Sequence, residues 1–351
     1  MEYTNYFHQK GEIMKKPLRI ILIVLGALIA FVAVFLLAVR LYFRLPVSDY
    51  YKASEKGFVI PGTGDGFIAQ GIEYDTVNNY FIVTGYMKDG SASPVYLVDR
   101  STGKLVKTIL PQDHEGNDYT GHAGGISLFA NKFLYIADGG GRCLRVYNYA
   151  DVLAAEDGAH VRAIGKFSTK KSSDDNIRPS FTTVIGDKLI IGEFYRAGNY
   201  ETPESHTVNT TAGDTNKGLA VVYQLNEDAV MGADMAPLYA FSLPDKVQGI
   251  YMDGNTVYIS TSYGPSFSYI YTYDATKTRE ADITVLGYTI PLYALDSSSL
   301  LSTKKIPPMS EELVIVDGRL YVMCESASNK YIFGKFTSAK WCYGTELDFF
   351  K

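Results

Sequence analysis

Two regimes of hydrophobic patterning divide the chain. Between Ile20 and Val39, twenty consecutive residues carry no charge, no side-chain amide and no proline. About 20 apolar residues suffice to carry a helix across a bilayer, so this run predicts one membrane-spanning segment over 18–43. Beyond it, helical periodicity is scarce. Short alternating runs rich in Val, Ile, Tyr and Phe are cut by Gly, Asn and Asp, the pattern of strands joined by tight turns.

These runs repeat. A turn of small polar residues followed by an apolar strand recurs at 78–83, 131–136, 186–191, 254–259 and 317–322. Each is preceded by a second strand type, at 70–74, 122–126, 180–184, 248–252 and 311–315, and most are followed by a third, at 95–99, 144–147, 220–223 and 269–273. The first residues of the preceding strands, Gln70, His122, Ser180, Gln248 and Glu311, are separated by 52, 58, 68 and 63 positions. Three to four strands per segment, repeated in this way, predict an all-β β-propeller, since each small sheet buries its faces only against its neighbours. The count is five blades. A strand-like remainder at 290–295 would make a sixth and is read as an insertion in the fourth segment. The last segment lacks an outer strand after Tyr331-Ile332-Phe333, and 57–61 is placed to supply it and latch the ring. The domain plan is then a tail at 1–17, the span at 18–43, a linker with a ring-closing strand at 44–64, and the propeller at 65–351.

Charge and composition sharpen this plan. The first 44 residues hold six Lys/Arg and two Asp/Glu, while the whole chain is at −5, which leaves the body at −9. A basic anchor on an acidic body excludes a free cytosolic protein, a polytopic transporter and a nucleic-acid binder that relies on a basic body. The apolar run is longer than a cleaved signal peptide requires, and Arg40-Leu41-Tyr42-Phe43-Arg44 is a poor cleavage site. An uncleaved signal anchor is expected, in the cell membrane. Lys15, Lys16 and Arg19 outweigh Arg40 and Arg44, which puts the tail in the cytoplasm and the C-terminal body outside. Cys143, Cys324 and Cys342 are too few for a disulfide framework and show no metal-binding spacing.

The topology also predicts where a site lies. In a propeller the first strand of each blade lines the central channel, and the second strand ends at the face where the first begins. One mouth therefore collects Gln70, His122, Ser180, Gln248, Glu311 and Glu312 with Tyr86, Asp138, Glu193, Tyr195, Tyr263, Glu325 and Ser326. The set at the strand starts is unusually polar, either to line a wet channel or to converge on a ligand. Gln70, His122, Ser180, Gln248, Glu311 and Glu325 are the ligand-binding candidates. His122, between glycines in Gly121-His122-Ala123-Gly124-Gly125, and Glu311 or Glu312 are the catalytic candidates. Strand alternation directs one of the two glutamates to the channel. A channel glutamate suits a cation such as Ca²⁺, although no set of metal ligands is assigned. Lys330 is expected to neutralise Glu325. The long polar segment 196–217 is expected over the mouth, as a lid or as a surface insertion. Tyr195, Tyr200 and Tyr263 offer rings for a sugar or another flat ligand.

The phrases Gln70-Gly71-Ile72, Gly121-His122-Ala123-Gly124-Gly125-Ile126, Pro307-Pro308-Met309-Ser310-Glu311-Glu312 and Cys324-Glu325-Ser326-Ala327 resemble a group of bacterial secreted or membrane-anchored β-propeller proteins. The resemblance covers about residues 65–335 and implies the propeller without an activity. More distantly, the blades are similar to the superfamily of gluconolactonase-type hydrolases, strictosidine synthases and streptogramin lyases. Those enzymes place metal ligands or His and Glu groups on inner strands, and their ligand set has no residue-by-residue match here. Three readings stay open. The body binds a small molecule, glycan or protein at the channel mouth. Alternatively it is a hydrolase or lyase using His122 with Glu311 or Glu312, with or without Ca²⁺. The third reading is a scaffold in an envelope assembly.

Overall fold

The computed structural model describes the backbone of residues 2–351 and the side chains of residues 16–351, so the expected tail at 1–17 falls largely outside the described side chains. The chain divides into two units, Met1–Pro46 and Val47–Lys351. The first is dominated by the helix Glu2–Arg44. Its apolar window is wholly unburied, and it is long and apolar enough to cross a membrane. Ile23 and Phe31 are 71% and 68% exposed. A continuous apolar surface of this kind is unfavourable in water and suits hydrocarbon.

The second unit is a propeller of five blades. The first blade comprises Phe67–Asp75, Tyr80–Met87, Val95–Asp99 and Lys104–Gln112, and the second Ala123–Phe129, Phe133–Asp138, Cys143–Asn148 and Gly165–Ser168. The third holds Pro179–Ile185, Lys188–Glu193, Gly218–Leu225 and Ala233–Leu243, and the fourth Val247–Asp253, Thr256–Thr261, Ser268–Asp274 and Leu300–Ile306. The fifth is built from Ser310–Val316, Arg319–Cys324 and Trp341–Glu346, with Ser54–Val59 from the start of the body as its outer strand. The inner strands touch one another in sequence, and the first meets the fifth.

The recurring polar phrase in the sequence is the turn between the first two strands of each blade. Asn79, Asn131 and Asp317 stand there at φ of 58°, 50° and 47°. Asn and Asp tolerate this left-handed region better than other side chains. The alternating apolar residues fill the spaces between blades. Five buried clusters result, one for each pair of neighbouring blades, including one that joins the fifth to the first.

An N-terminal strand closes the ring, but it is Ser54–Val59 and not the 57–61 read from the sequence, and it runs antiparallel to Trp341–Glu346. Phe58 is 1% exposed, and its ring lies 4.9 Å from that of Phe81 in the first blade. Phe58→Ala is expected to cost about 3 kcal/mol, measured as a lowered denaturation midpoint. An unchanged midpoint would show that the latch adds nothing.

Two further expectations are corrected. Tyr331-Ile332-Phe333 is not a strand. It leads into a short helix, Gly334–Thr337, and the third strand of the fifth blade is Trp341–Glu346. The remainder at 290–295 does not form a sixth blade. It is an insertion within the fourth segment, but Leu292–Ala294 pairs in parallel with Ala233–Leu243 and widens the third blade. Its Ile290 and Leu292 lie in the cluster between the second and third blades.

Candidate functional site

Every innermost strand slips register against its neighbour near its start. The shifts fall between Ala69 and Gly71, Ala123 and Ile126, Pro179 and Phe181, Val247 and Gly249, and Ser310 and Leu313. Each is a bulge, which unpairs a residue and re-aims its side chain. The residues released are Gln70, Ser180, Gln248, the pair Gly124-Gly125, and the pair Glu311-Glu312. The inner strand starts thus form a ring of bulges around the axis, one from each blade, with His122 just ahead of the bulge in the second.

The ring floors a cavity of about 560 Å³ at the channel mouth. All six ligand-binding candidates, Gln70, His122, Ser180, Gln248, Glu311 and Glu325, line it, together with Tyr86 and Tyr263. Their polar atoms are connected. His122 Nε2 lies 2.7 Å from Gln70 Oε1, and Gln70 Nε2 donates to Glu325 Oε2 at 2.7 Å. Because Gln70 presents its carbonyl oxygen to the imidazole, Nε2 carries the hydrogen. The hydroxyl of Tyr331 donates to the other oxygen of Glu325. Gln248 bridges Glu311 and Ser262 with longer contacts of 3.3 and 3.4 Å.

The electrostatics follow from this packing. Burial pushes Glu311 well above the usual carboxylate range, and the neighbouring Glu325 adds to the shift through its charge and a shared hydrogen bond. The enclosing protein and the second carboxyl group both disfavour the charged form of Glu311. His122 is reached by solvent through the cavity but is enclosed by protein on most sides. That loss of hydration lowers its pKa to about 4, helped by the charges of Lys330 and Arg178. Its ring stacks on Tyr86 with centroids 4.3 Å apart.

Glu312 goes elsewhere. Its Oε2 accepts the backbone N–H groups of Ile72 and Ile126, both at 2.9 Å, and its Oε1 accepts that of Thr182 at 3.1 Å. These amides belong to the inner strands of the first, second and third blades. The carboxyl group thus sits on the axis, 1% exposed, and does not line the cavity. Gly71 and Gly125 make room for it, since a Cβ on Gly125 would stand 2.3 Å from Oε1. Burial raises its pKa, and the three N–H groups pull against that shift. The two glutamates are separated, one toward the mouth and one onto the axis, by the register slip that holds both and not by regular strand alternation. His122 and Glu312 are consequently not brought together, and His122 is paired with Gln70 rather than with Glu311.

The remaining strand-end residues divide. Asp138 is bound by Arg145 through two nitrogens, at 2.8 and 3.0 Å. Glu193 is buried with His206 at 2.8 Å. Tyr195 and Ser326 are buried away from the cavity. The His206–Glu193 contact pins the segment 196–217, which contributes Tyr200 to the cavity wall. Lys330 does not neutralise Glu325. Its ammonium bonds the Tyr86 hydroxyl at 3.0 Å and lies over the Tyr86 and Tyr331 rings. Sequence reasoning missed Arg178, Phe194, Ser262 and Tyr331, which also line the cavity. Arg178 was in view, two residues before Ser180 at the start of an inner strand. Among the described residues, no group of three or more His, Cys, Asp and Glu is arranged to hold a metal ion.

No protein-family model matches this chain, and no curated protein matches it. Solved structures do. A glutaminyl cyclase from Myxococcus xanthus shares 9% identity over 81% of this chain and 90% of its own, with a TM-score of 0.41. A luciferin-regenerating enzyme shares 12% over 83% and 91%, with a TM-score of 0.38. The hydrazine synthase of Kuenenia stuttgartiensis shares 12% over 73% of this chain, with a TM-score of 0.35, and the chain spans 55% of that structure's length.

Proposed function

We propose that this chain is a single-pass, membrane-anchored protein whose β-propeller, on the outer side, binds a small polar ligand in the mouth cavity. The observation that carries this reading is the ring of bulges. Five blades each present a displaced inner-strand segment, and four of those side chains, with His122 and Glu325, surround one concave space of about 560 Å³. That volume and the mixture of aromatic walls with a few placed polar groups fit a ligand site. The axis below is occupied by Glu312, so the mouth works as a pocket and not as a pore.

A second reading is supported by Glu311 and Glu325, two carboxyl groups lining the same cavity, of which Glu311 is held well above the usual range by burial and by Glu325. Such a pair suits general acid–base chemistry on whatever binds there. It replaces the combination of His122 with Glu311 or Glu312 read from the sequence.

The test is a cavity-filling variant. Gln248 makes only long hydrogen bonds, so Gln248→Trp is expected to occupy the space with little loss of stability. In a screen of polar metabolites against the full chain in detergent, a ligand at about 100 times its Kd should raise the melting temperature of the wild type by about 5 °C. The variant should show no rise. Metabolites that stabilise both proteins equally would place binding elsewhere and end the mouth reading.

A further inference from the structure

The mouth contains two cations without an acidic partner, and the geometry points to an acidic sugar, a pyranose ring bearing one carboxylate or phosphate, as the ligand. This rests on the mouth-binding reading and adds a chemical class to it.

Glu325 is already engaged, with one oxygen taking Gln70 Nε2 and the other the Tyr331 hydroxyl. Burial and the neighbouring Glu325 disfavour the charged form of Glu311. Against these stand Lys330 and Arg178. Lys330 bonds only a neutral phenol, Tyr86. Among the described residues, neither cation forms an ion pair within 4 Å. The body carries nine more acidic than basic residues, so acidic partners are not scarce. Two unmatched cations at one mouth leave a place for an anion.

A cationic ligand is disfavoured for a second reason. The ring faces that would receive it are taken by the chain's own cations. Lys330 lies 5.2 and 5.3 Å from the centroids of Tyr86 and Tyr331, and Arg196 lies 3.9 Å from that of Tyr263.

The rest of the cavity suits a ring with hydroxyl groups. Tyr200 is 42% exposed on the side of the third blade, and an aromatic face packs against the C–H face of a pyranose. The floor offers both donors and acceptors. His122 and Gln70, with Ser180, Gln248 and the Glu311 carboxyl, can each take one hydroxyl. The ring would lie against Tyr200, its hydroxyls on the bulges and its acidic group toward Lys330 and Arg178.

The experiment is calorimetric titration of the full chain in detergent with galacturonate, glucuronate, glucose 6-phosphate, galactose, glucose and glucosamine, repeated with Lys330→Met, Arg178→Gln and Gln248→Trp. An acidic sugar is expected to bind about tenfold or more tighter than its neutral counterpart, the scale of one charge-assisted hydrogen bond. The uronates and the phosphate decide between the two sources of charge. Either charge-removing variant should erase that preference, and Gln248→Trp should abolish binding. Equal or tighter binding of galactose, glucose or glucosamine overturns the acidic class while leaving the mouth reading intact. No heat from any acidic sugar up to about 10 mM overturns it as well. Acidic sugars that bind Gln248→Trp as well as wild type overturn both.

Discussion

Glu312→Ala is expected to lower stability by about 5 kcal/mol, a large share of what holds a typical domain together. The substitution strands the backbone N–H groups of Ile72, Ile126 and Thr182, each of which now ends on the carboxyl group. A buried donor left without a partner costs about 1–3 kcal/mol, and here three are lost at once. Water entering the vacated axis would recover part of that cost, so the figure lies well below the maximal sum. Glu312→Gln should be milder. Its amide oxygen can replace Oε2 and keep Ile72 and Ile126, while its amide nitrogen would face the N–H of Thr182 donor to donor. Gly125→Ala should resemble the alanine variant, since its Cβ would stand 2.3 Å from Oε1 and 2.6 Å from the Thr182 nitrogen. Urea denaturation followed by the fluorescence of Trp341, the sole tryptophan, gives the ranking. If Glu312→Ala unfolds within about 1 kcal/mol of wild type, the axial carboxyl group is not what joins the blades.

This pin also explains how far the sequence could be read. The blades were legible because strand alternation and turn chemistry are local. Asn79, Asn131 and Asp317 announce their turns wherever they stand. The candidate set was legible for the same reason, since a strand start fixes which end of the channel a residue occupies. What a single sequence does not reveal is the slip in register. Nothing within Ser310-Glu311-Glu312-Leu313 says that two residues there oppose one on the next strand, and that slip decides which carboxyl group meets the mouth and which meets the axis. Partners distant in sequence were equally hidden. Lys330 lies near Glu325 in sequence, yet its ammonium reaches Tyr86, 244 residues away. The segment at 331–333 has the residue types of a strand, but Gly334 lies so close to the Ser326 carbonyl that a Cβ there would stand 1.6 Å from its oxygen. That close packing accompanies a turn, and Ile332 is left 78% exposed.

Glu73 makes stability depend on pH in a direction opposite to that of a salt-bridged carboxylate. It lies on the first inner strand, 8% exposed, accepting the N–H of Tyr74 at 2.8 Å and of Leu128 at 3.2 Å. Burial pushes its pKa from 4.5 up to about 8, with those two N–H groups opposing the shift. Below pH 4.5 the group is protonated in both folded and unfolded chains and contributes no difference. Between 4.5 and 8 the unfolded chain releases the proton while the folded chain keeps it, so stability falls as pH rises. Above about 8 both forms are ionised and the loss is complete, at roughly 5 kcal/mol as an upper bound. Burial raises Glu311 and Glu312 in the same sense, so wild type alone cannot isolate the effect. Glu73→Gln can, because the amide stays neutral throughout. At pH 4.5 the variant should be slightly less stable than wild type, having lost one acceptor to an N–H group. At pH 8.5 it should be more stable, with the two curves crossing between. Urea midpoints measured across this range decide the matter, and a difference between the two proteins that stays constant with pH would mean that Glu73 is ionised in the folded chain throughout.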